Sequence, residues 1–158
     1  MKNKIINNIL IILCVFIITG CNTNKELNID TNDNIEENNV VDNQNEVINS
    51  VKILINDKEY IINLEDNETA KAFVNLLPLE LNMNELNGNE KYVDLDNNLP
   101  TNFYNPNHIN IGDVMLYGNN CLVIFYKSFD TPFSYTKIGH IDKLPDLGNV
   151  DIKVKIEK

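Results

Sequence analysis

Short runs of alternating apolar and polar residues cover most of the chain after position 50, and a period of two is typical of strands with one buried face. The final run is the clearest, because Val150, Ile152, Val154 and Ile156 alternate with charged residues. The same pattern, or an unbroken apolar run, predicts strands at residues 51–55, 59–64, 79–83, 113–117, 121–126 and 135–141. Six or more strands favour a closed or nearly closed β-barrel.

One helix is predicted among these strands. Asp66 or Asn67 is expected to cap it, and Glu68 lies in its first turn, where a carboxylate suits the helix dipole. Pro78 is expected to end it, because proline cannot continue a helix. The apolar residues at helical spacing, which should face the core, are Ala70, Phe73, Val74 and Leu77. Residues 87–106 show no sustained period and are interpreted as irregular.

Several segments occur in an order that resembles the bacterial cyclophilin-like proteins, small β-barrels distinct from the proline isomerases themselves. They are DNETA at 66–70, LLPL at 76–79, NGNEKY at 87–92, LPT at 99–101, IGDVMLYG at 111–118, CLVIFYK at 121–127 and SYTKIGHI at 134–141. The resemblance covers nearly all of residues 51–158. It implies a mainly β fold, a closed barrel of about eight strands with one main helix at one end, and no established activity.

The amino terminus has the pattern of a secretion signal. Lys2 and Lys4 precede an apolar stretch at 5–18, broken only at positions 7 and 8. That stretch is shorter than the roughly 20 residues that span a bilayer, and it suits the apolar region of a signal peptide. Ile-Thr-Gly-Cys at 18–21 then resembles the lipobox of bacterial lipoproteins, in which the cysteine is lipidated and the peptide is cut before it. An ordinary secretory signal and an uncleaved membrane helix remain alternatives.

On this interpretation residues 1–20 are a signal peptide, and Cys21 begins a mature protein held on the extracytoplasmic face of the cell membrane. Residues 22–50 contain ten Asn, seven acidic residues, one Lys and no aromatic residue. Such a segment cannot bury enough apolar surface to offset its chain entropy, so residues 21–50 are predicted to be a disordered tether. A flexible coil of this length reaches about 30 Å. Residues 51–158 form the folded domain.

The net charge argues against partners that are themselves strongly anionic. The chain has 13 Lys, no Arg and 23 acidic residues, for a net charge of −10. Nucleic acid and anionic headgroups require concentrated positive charge, so neither is expected as a partner. The proline isomerases of the related fold depend on an Arg set among aromatic and Gln side chains, and the one Gln, Gln44, lies in the tether. A degenerate isomerase or another enzyme therefore stays only an alternative.

A non-catalytic binding module for a peptide or small molecule is the favoured function. Aromatic side chains in or beside the loops offer stacking area with polar tips, and nearby amides and a carboxylate offer hydrogen bonds. The candidate groove residues are Tyr92, Phe103, Tyr104, Phe129, Phe133 and Tyr135, with Asn87, Asn89 and Glu90. The competing interpretation is that several of these aromatics cover the barrel ends as ordinary core.

Other reactive side chains give weaker patterns. Cys121 is expected to be an inert thiol on an apolar strand, and it would need a base such as His140 to act as a nucleophile. His108 and His140 lack metal-ligand spacing, so no metal or other cofactor is expected. Four carboxylates, Glu90, Asp94, Asp96 and Asp113, lack calcium-loop spacing. Asp113 is instead expected to set the entry to a strand.

Overall fold

The computed structural model describes residues 48–158, so the predicted signal peptide, Cys21 and most of the predicted tether lie outside it. Within this range the chain forms ten strands and one helix. They are β1 Ser50–Ile55, β2 Lys58–Leu64, α1 Glu68–Asn75, β3 Leu79–Leu86, β4 Glu90–Asp94, β5 His108–Ile109, β6 Asp113–Tyr117, β7 Cys121–Phe125, β8 Phe129–Asp130, β9 Thr136–Ile141 and β10 Ile152–Glu157.

Eight of these strands close into an antiparallel barrel in the order β1-β10-β3-β4-β7-β6-β9-β2, with β2 pairing back onto β1. Strands β5 and β8 form a separate two-stranded sheet. Closure pairs the outermost strands with each other, so the barrel itself leaves no sheet edge open. The predicted closed barrel with one helix is therefore confirmed.

Local sequence accounts for the first hairpin and the helix. Asn56 and Asp57 both have positive φ, 47° and 67°, as a tight two-residue hairpin turn requires. Asn67 is the helix cap, since its side chain accepts a hydrogen bond from the Ala70 N–H at 2.8 Å. The Asn67 amide also donates to the Lys137 carbonyl at 2.8 Å, which ties the helix start to β9. Phe73 of the helix is fully buried in the barrel core.

Strand β4 corrects the interpretation of residues 87–106 as irregular. One of its two inward positions is taken by Lys91, which is fully buried and breaks the apolar alternation. The Lys91 ammonium donates to the carbonyls of Gly148 and Val150 at 2.5 and 2.8 Å, and it lies 4.5 Å from the Tyr126 ring centroid. Burial nevertheless lowers the pKa of Lys91. A buried cation is tolerated because these partners replace water.

The predicted final strand also begins later than its pattern indicated. Val150 is 60% exposed, and β10 starts at Ile152. The chain turns at Gly148, where φ is +68°, and the Val150 carbonyl is used by Lys91 rather than by a neighbouring strand. Alternation of residue types alone cannot show that the first backbone groups of a run are bonded elsewhere.

Two apolar clusters form in the described domain. One fills the barrel and includes Ile53, Ile62 and Phe73. The other lies on the outside of β6 and β7 and will be called the outer apolar cluster: Ile109, Met115, Val123, Phe125 and Tyr135. Ile109 of β5 and the partly buried Phe129 of β8 pack in this second cluster, so the small β5–β8 sheet covers part of the barrel's outer surface.

Candidate functional site

Three adjacent strands build the floor of the candidate site. Because side chains alternate between the faces of a strand, Glu90, Tyr92 and Asp94 of β4 all point away from the barrel interior that receives Lys91. Pairing places Tyr92 opposite Val123 of β7, and Val123 opposite Met115 of β6. The next row joins Asp94, Cys121 and Tyr117 in the same way. A continuous outward surface therefore crosses β4, β7 and β6.

A groove of about 670 Å³ opens above this surface and will be called the outer groove. Its aromatic walls are Tyr92, Tyr117, Phe133 and Tyr135, and its other side chains include Leu86, Val123, Cys121, Asn87, Asn120, Glu90 and Asp94. Tyr117 packs against Phe133 and Tyr135 with ring centroids 6.2 and 5.6 Å apart. Tyr135 in turn meets Phe125 edge-on at 5.5 Å, so the outer apolar cluster holds the wall in place.

The rim of the outer groove exposes apolar side chains. Leu86, Tyr117 and Phe133 are 40%, 48% and 56% exposed. Scattered apolar residues are ordinary on protein surfaces, but a group of them around one concavity is typical of a binding surface. The concentration of such residues here sets this part of the described surface apart.

Burial raises the pKa of two side chains in the outer groove, Glu90 and Cys121. Burial, followed by the neighbouring charge of Glu85, raises the pKa of Glu90. Burial also raises the pKa of the Cys121 thiol to about 12, and a hydrogen bond to Asp94 and the charges of Asp94 and Glu90 act in the same direction. The thiol is therefore protonated at neutral pH. This environment is the reverse of the electropositive one that activates cysteine.

His140 takes part in a different cluster. Its Nδ1 lies 3.2 Å from Oδ1 of Asp113, a buried carboxylate that also accepts a hydrogen bond from the Asn110 N–H at 2.9 Å. The Lys137 ammonium is 3.7 Å from the same Oδ1. Asp113 thus fixes the entry to β6, as its sequence position predicted. His140 is engaged with Asp113, so the pairing that a nucleophilic Cys121 would require is not formed.

The structure brings together only part of the groove predicted from sequence. Asn87, Glu90, Tyr92, Phe133 and Tyr135 line the outer groove. The remaining four candidates, Asn89, Phe103, Tyr104 and Phe129, lie elsewhere.

Each of those four has a different environment. Phe129 of β8 packs on Phe125, with ring centroids 5.7 Å apart. Tyr104 borders a separate polar pocket of about 240 Å³ with Lys137, and Phe103 is exposed. The Asn89 carbonyl accepts the Tyr126 N–H, while its side-chain Oδ1 is buried and accepts no hydrogen bond within residues 48–158.

Sequence reasoning did not assign Asp94, Tyr117, Asn120 or Leu86 to the groove. The signal for Asp94 was present, since Glu90, Tyr92 and Asp94 occur at i, i+2 and i+4 and share one face of a strand. It was hidden because Lys91 prevented β4 from being recognised. Tyr117 alternates with Leu116 in the same manner, but its partners depend on strand pairing.

Two further observations concern cofactors and membranes. Across residues 48–158, no three His, Cys, Asp or Glu side chains are grouped in a way that would hold a metal ion. Over the same range, no helix has the length and apolar character needed to cross a membrane.

Comparison with known proteins gives one match. The model of a family described as the cyclophilin-like family matches residues 53–157, which is nearly the whole of the described domain. No curated protein and no solved structure matches the chain.

Proposed function

The chain belongs to the cyclophilin-like family, and on that premise we propose that it is a lipid-anchored extracytoplasmic protein whose barrel captures a peptide or small molecule in the outer groove without converting it chemically. The observation that carries this proposal is the groove itself, with its four aromatic walls and exposed apolar rim. Its volume falls within the range of about 300–1,000 Å³ that is usual for ligand sites.

The construction of the outer groove supports binding. Tyrosine and phenylalanine supply large contact area while losing little side-chain entropy on binding. Tyr135 is held by Phe125 and Tyr117, so one wall is ordered before any ligand arrives. Preorganisation of this kind lowers the entropic cost of association. Asn87 and Asn120 at the groove add amide groups that suit a ligand with its own hydrogen-bonding groups.

The chemistry of the outer groove supports capture over conversion. Nucleophilic catalysis needs an activated nucleophile beside a base, whereas the Cys121 thiol has a pKa of about 12 and carboxylates for neighbours. Proline isomerisation on this type of barrel relies on a guanidinium, and the sequence contains no Arg. Lysine does not reproduce the planar guanidinium fork. In addition, Lys91 on β4 faces the barrel interior and donates to carbonyls there.

The amino-terminal sequence supports the anchor. Lys2 and Lys4, the apolar stretch and Ile-Thr-Gly-Cys at 18–21 agree in order and spacing. Stable anchoring takes more than one acyl chain. The polar segment after Cys21 would then separate the barrel from the lipid surface.

Intact-mass measurement of the chain in the membrane fraction tests the anchor. We expect a mature protein that starts at Cys21 and carries added acyl mass, and we expect Cys21→Ser to abolish both the added mass and the membrane retention. A chain that starts at Cys21 without acyl mass, or one that keeps residues 1–20, would contradict the lipoprotein proposal.

Protein-observed NMR tests the groove. The full chain in detergent micelles is titrated with pools of small molecules and short peptides. Binding in the outer groove should shift the resonances of Tyr92, Tyr117 and Tyr135 together. Shifts that are confined to β1 and β10, which lie outside the groove, would contradict the proposed binding function. The absence of a saturable shift with any pool would contradict it as well.

A further inference from the structure

We infer that the outer groove selects a basic side chain, the ammonium of a lysine or the guanidinium of an arginine, presented by a segment of a polypeptide partner. The inference rests on the proposed function of the outer groove as a binding site and specifies its ligand. Charge, aromatic walls and shape each contribute a separate step.

The first step is the placement of two carboxylates. Glu90 and Asp94 lie at opposite ends of β4, on the same face, with Tyr92 between them, and all three line the groove. Four strand residues span roughly 13 Å, so the two negative charges lie toward opposite ends of the site. A ligand that crosses Tyr92 therefore passes near one carboxylate or both.

The second step is that neither carboxylate forms an ion pair within residues 48–158. The ion pairs formed among residues 48–158 engage Glu65, Asp66, Glu68, Asp113, Asp130, Asp142, Asp146 and Glu157. Neither Glu90 nor Asp94 is among them, and no lysine lines the groove. Lys91, between the two along the chain, is turned inward. A cationic ligand would supply the missing charge, whereas an acidic ligand would be repelled.

The burial of Glu90 also favours a cationic ligand. Its pKa is raised by burial and by Glu85, which means that the charged form lacks compensation in the free protein. A positive group placed beside Glu90 would stabilise the charged form. The carboxylate is thus better suited to a bound cation than to the empty groove.

The third step concerns the kind of cation. Tyr92, Tyr117 and Phe133 expose part of their rings in one groove, and the buried Tyr135 packs behind Tyr117. Aromatic faces attract ammonium and guanidinium groups, and they also cover the aliphatic stem of a lysine or arginine side chain. An inorganic cation would use the carboxylates but not the rings. The combination therefore fits an organic cation that carries an apolar stem.

The fourth step separates a polypeptide from a small organic cation. The groove, at about 670 Å³, is larger than one basic side chain, and its rim exposes Leu86, Tyr117 and Phe133. These apolar side chains offer contacts to the residues on either side of a basic one. The chain's own residues 22–50 are a poor occupant, because they carry seven acidic residues and one Lys.

Peptide selection tests the inference. A display library of random dodecapeptides is panned on the immobilised full chain and on a Glu90→Gln/Asp94→Asn double variant. We expect the wild-type pool to be enriched in Lys and Arg and the double-variant pool to lack that enrichment. In the tightest recovered peptide, replacing the basic residue with its neutral counterpart, norleucine for lysine or citrulline for arginine, should weaken binding to the wild type about tenfold.

A second double variant, Glu59→Gln/Glu80→Gln, makes the same change in charge at exposed positions on β2 and β3 and should keep the basic enrichment. Equal loss of enrichment in both double variants would overturn the inference, because attraction would then be to the acidic protein as a whole. A groove-bound pool without basic enrichment would overturn it while leaving the proposed function intact. Failure to recover any saturably bound peptide would overturn the inference, and the proposed function would fail as well only if the NMR titration with small molecules also gave no saturable shift.

Discussion

Two parts of the barrel's outer surface follow the same alternation of inward and outward residues but differ in chemistry. On β1 and β10 the outward residues are mainly charged, and Glu157 pairs with Lys52 at 2.8 Å and with Lys155 at 2.9 Å. On β4, β7 and β6 the outward residues include Tyr92, Val123 and Met115, which carry the outer groove and the outer apolar cluster. Strand periodicity therefore specifies only that a residue points outward.

The difference matters because the barrel already has a core. Ile53, Ile62, Phe73 and the other inward side chains fill its interior, so a second apolar layer is not required for closure. Apolar side chains that are left partly exposed around a concavity indicate a use other than folding. The exposed rim on the face formed by β4, β7 and β6 therefore supports the proposed binding role, while the buried outer apolar cluster beneath it also stabilises the fold.

The largest expected effect on stability comes from removing the buried ring of Phe125, which lies on the outer side of β7. Phe125→Ala deletes a fully buried side chain that contacts Phe129 and Tyr135, and we expect it to lower the free energy of unfolding by about 3–5 kcal/mol. Leu54→Ala, at a partly exposed outward position on β1, should cost about 1 kcal/mol. Urea denaturation of the two variants checks this. Equal losses would mean that the outer apolar cluster contributes no more to stability than the outward residues of β1 and β10.

The buried lysine on β4 should contribute more to stability than an exposed lysine on β10. Lys91→Met replaces the inward ammonium with an apolar side chain and leaves the carbonyls of Gly148 and Val150 without their donor. We expect a loss of about 1–3 kcal/mol in urea unfolding. Lys153→Ala, an exposed lysine on β10, should change stability by no more than about 0.5 kcal/mol. A fully stable Lys91→Met variant would show that the buried ammonium contributes nothing.

The smallest expected effect is the pH dependence contributed by Glu90. Its folded pKa lies above its ordinary value of 4.5, so the native state binds more protons between those two values. The contribution of Glu90 to stability therefore falls as pH rises through this window, and the cost persists above it. Glu90→Gln should be more stable than the wild type at pH 7, and the difference should disappear as pH falls below about 4.5.

Thermal unfolding of both proteins across pH 3–8, a range that brackets the ordinary carboxylate pKa, measures the Glu90 effect. Glu59→Gln on β2 is the matched change in charge outside the groove. A Glu90→Gln variant that is less stable than the wild type at pH 7 would show that the charged carboxylate has a stabilising partner in the free protein. That outcome would also remove one support for a cationic ligand.

How much of the fold and of the groove the sequence predicts depends on how far apart the interacting residues lie along the chain. Strands such as β6 and β7 were recognisable because their pattern is local, and the helix cap could be narrowed to Asp66 or Asn67 for the same reason. Strand β4 was missed because Lys91 is stabilised by carbonyls that lie more than fifty residues along the chain. The groove was predicted only in part, because the pairing of β4 with β7 places Tyr92 and packing on Tyr117 and Phe125 places Tyr135, and neither contact follows from a local pattern. Phe103 and Tyr104, equally aromatic, end up elsewhere.

The central claim, that the outer groove is the binding site, is tested most directly by two phenylalanines of nearly equal exposure. Phe133 is 56% exposed and lines the groove, whereas Phe103 is 53% exposed and lies outside it. The peptide pool selected on the wild-type full chain is measured for retention on Phe133→Ala and on Phe103→Ala. We predict that Phe133→Ala lowers retention about tenfold and that Phe103→Ala leaves it unchanged. Equal retention by the two variants would contradict the claim.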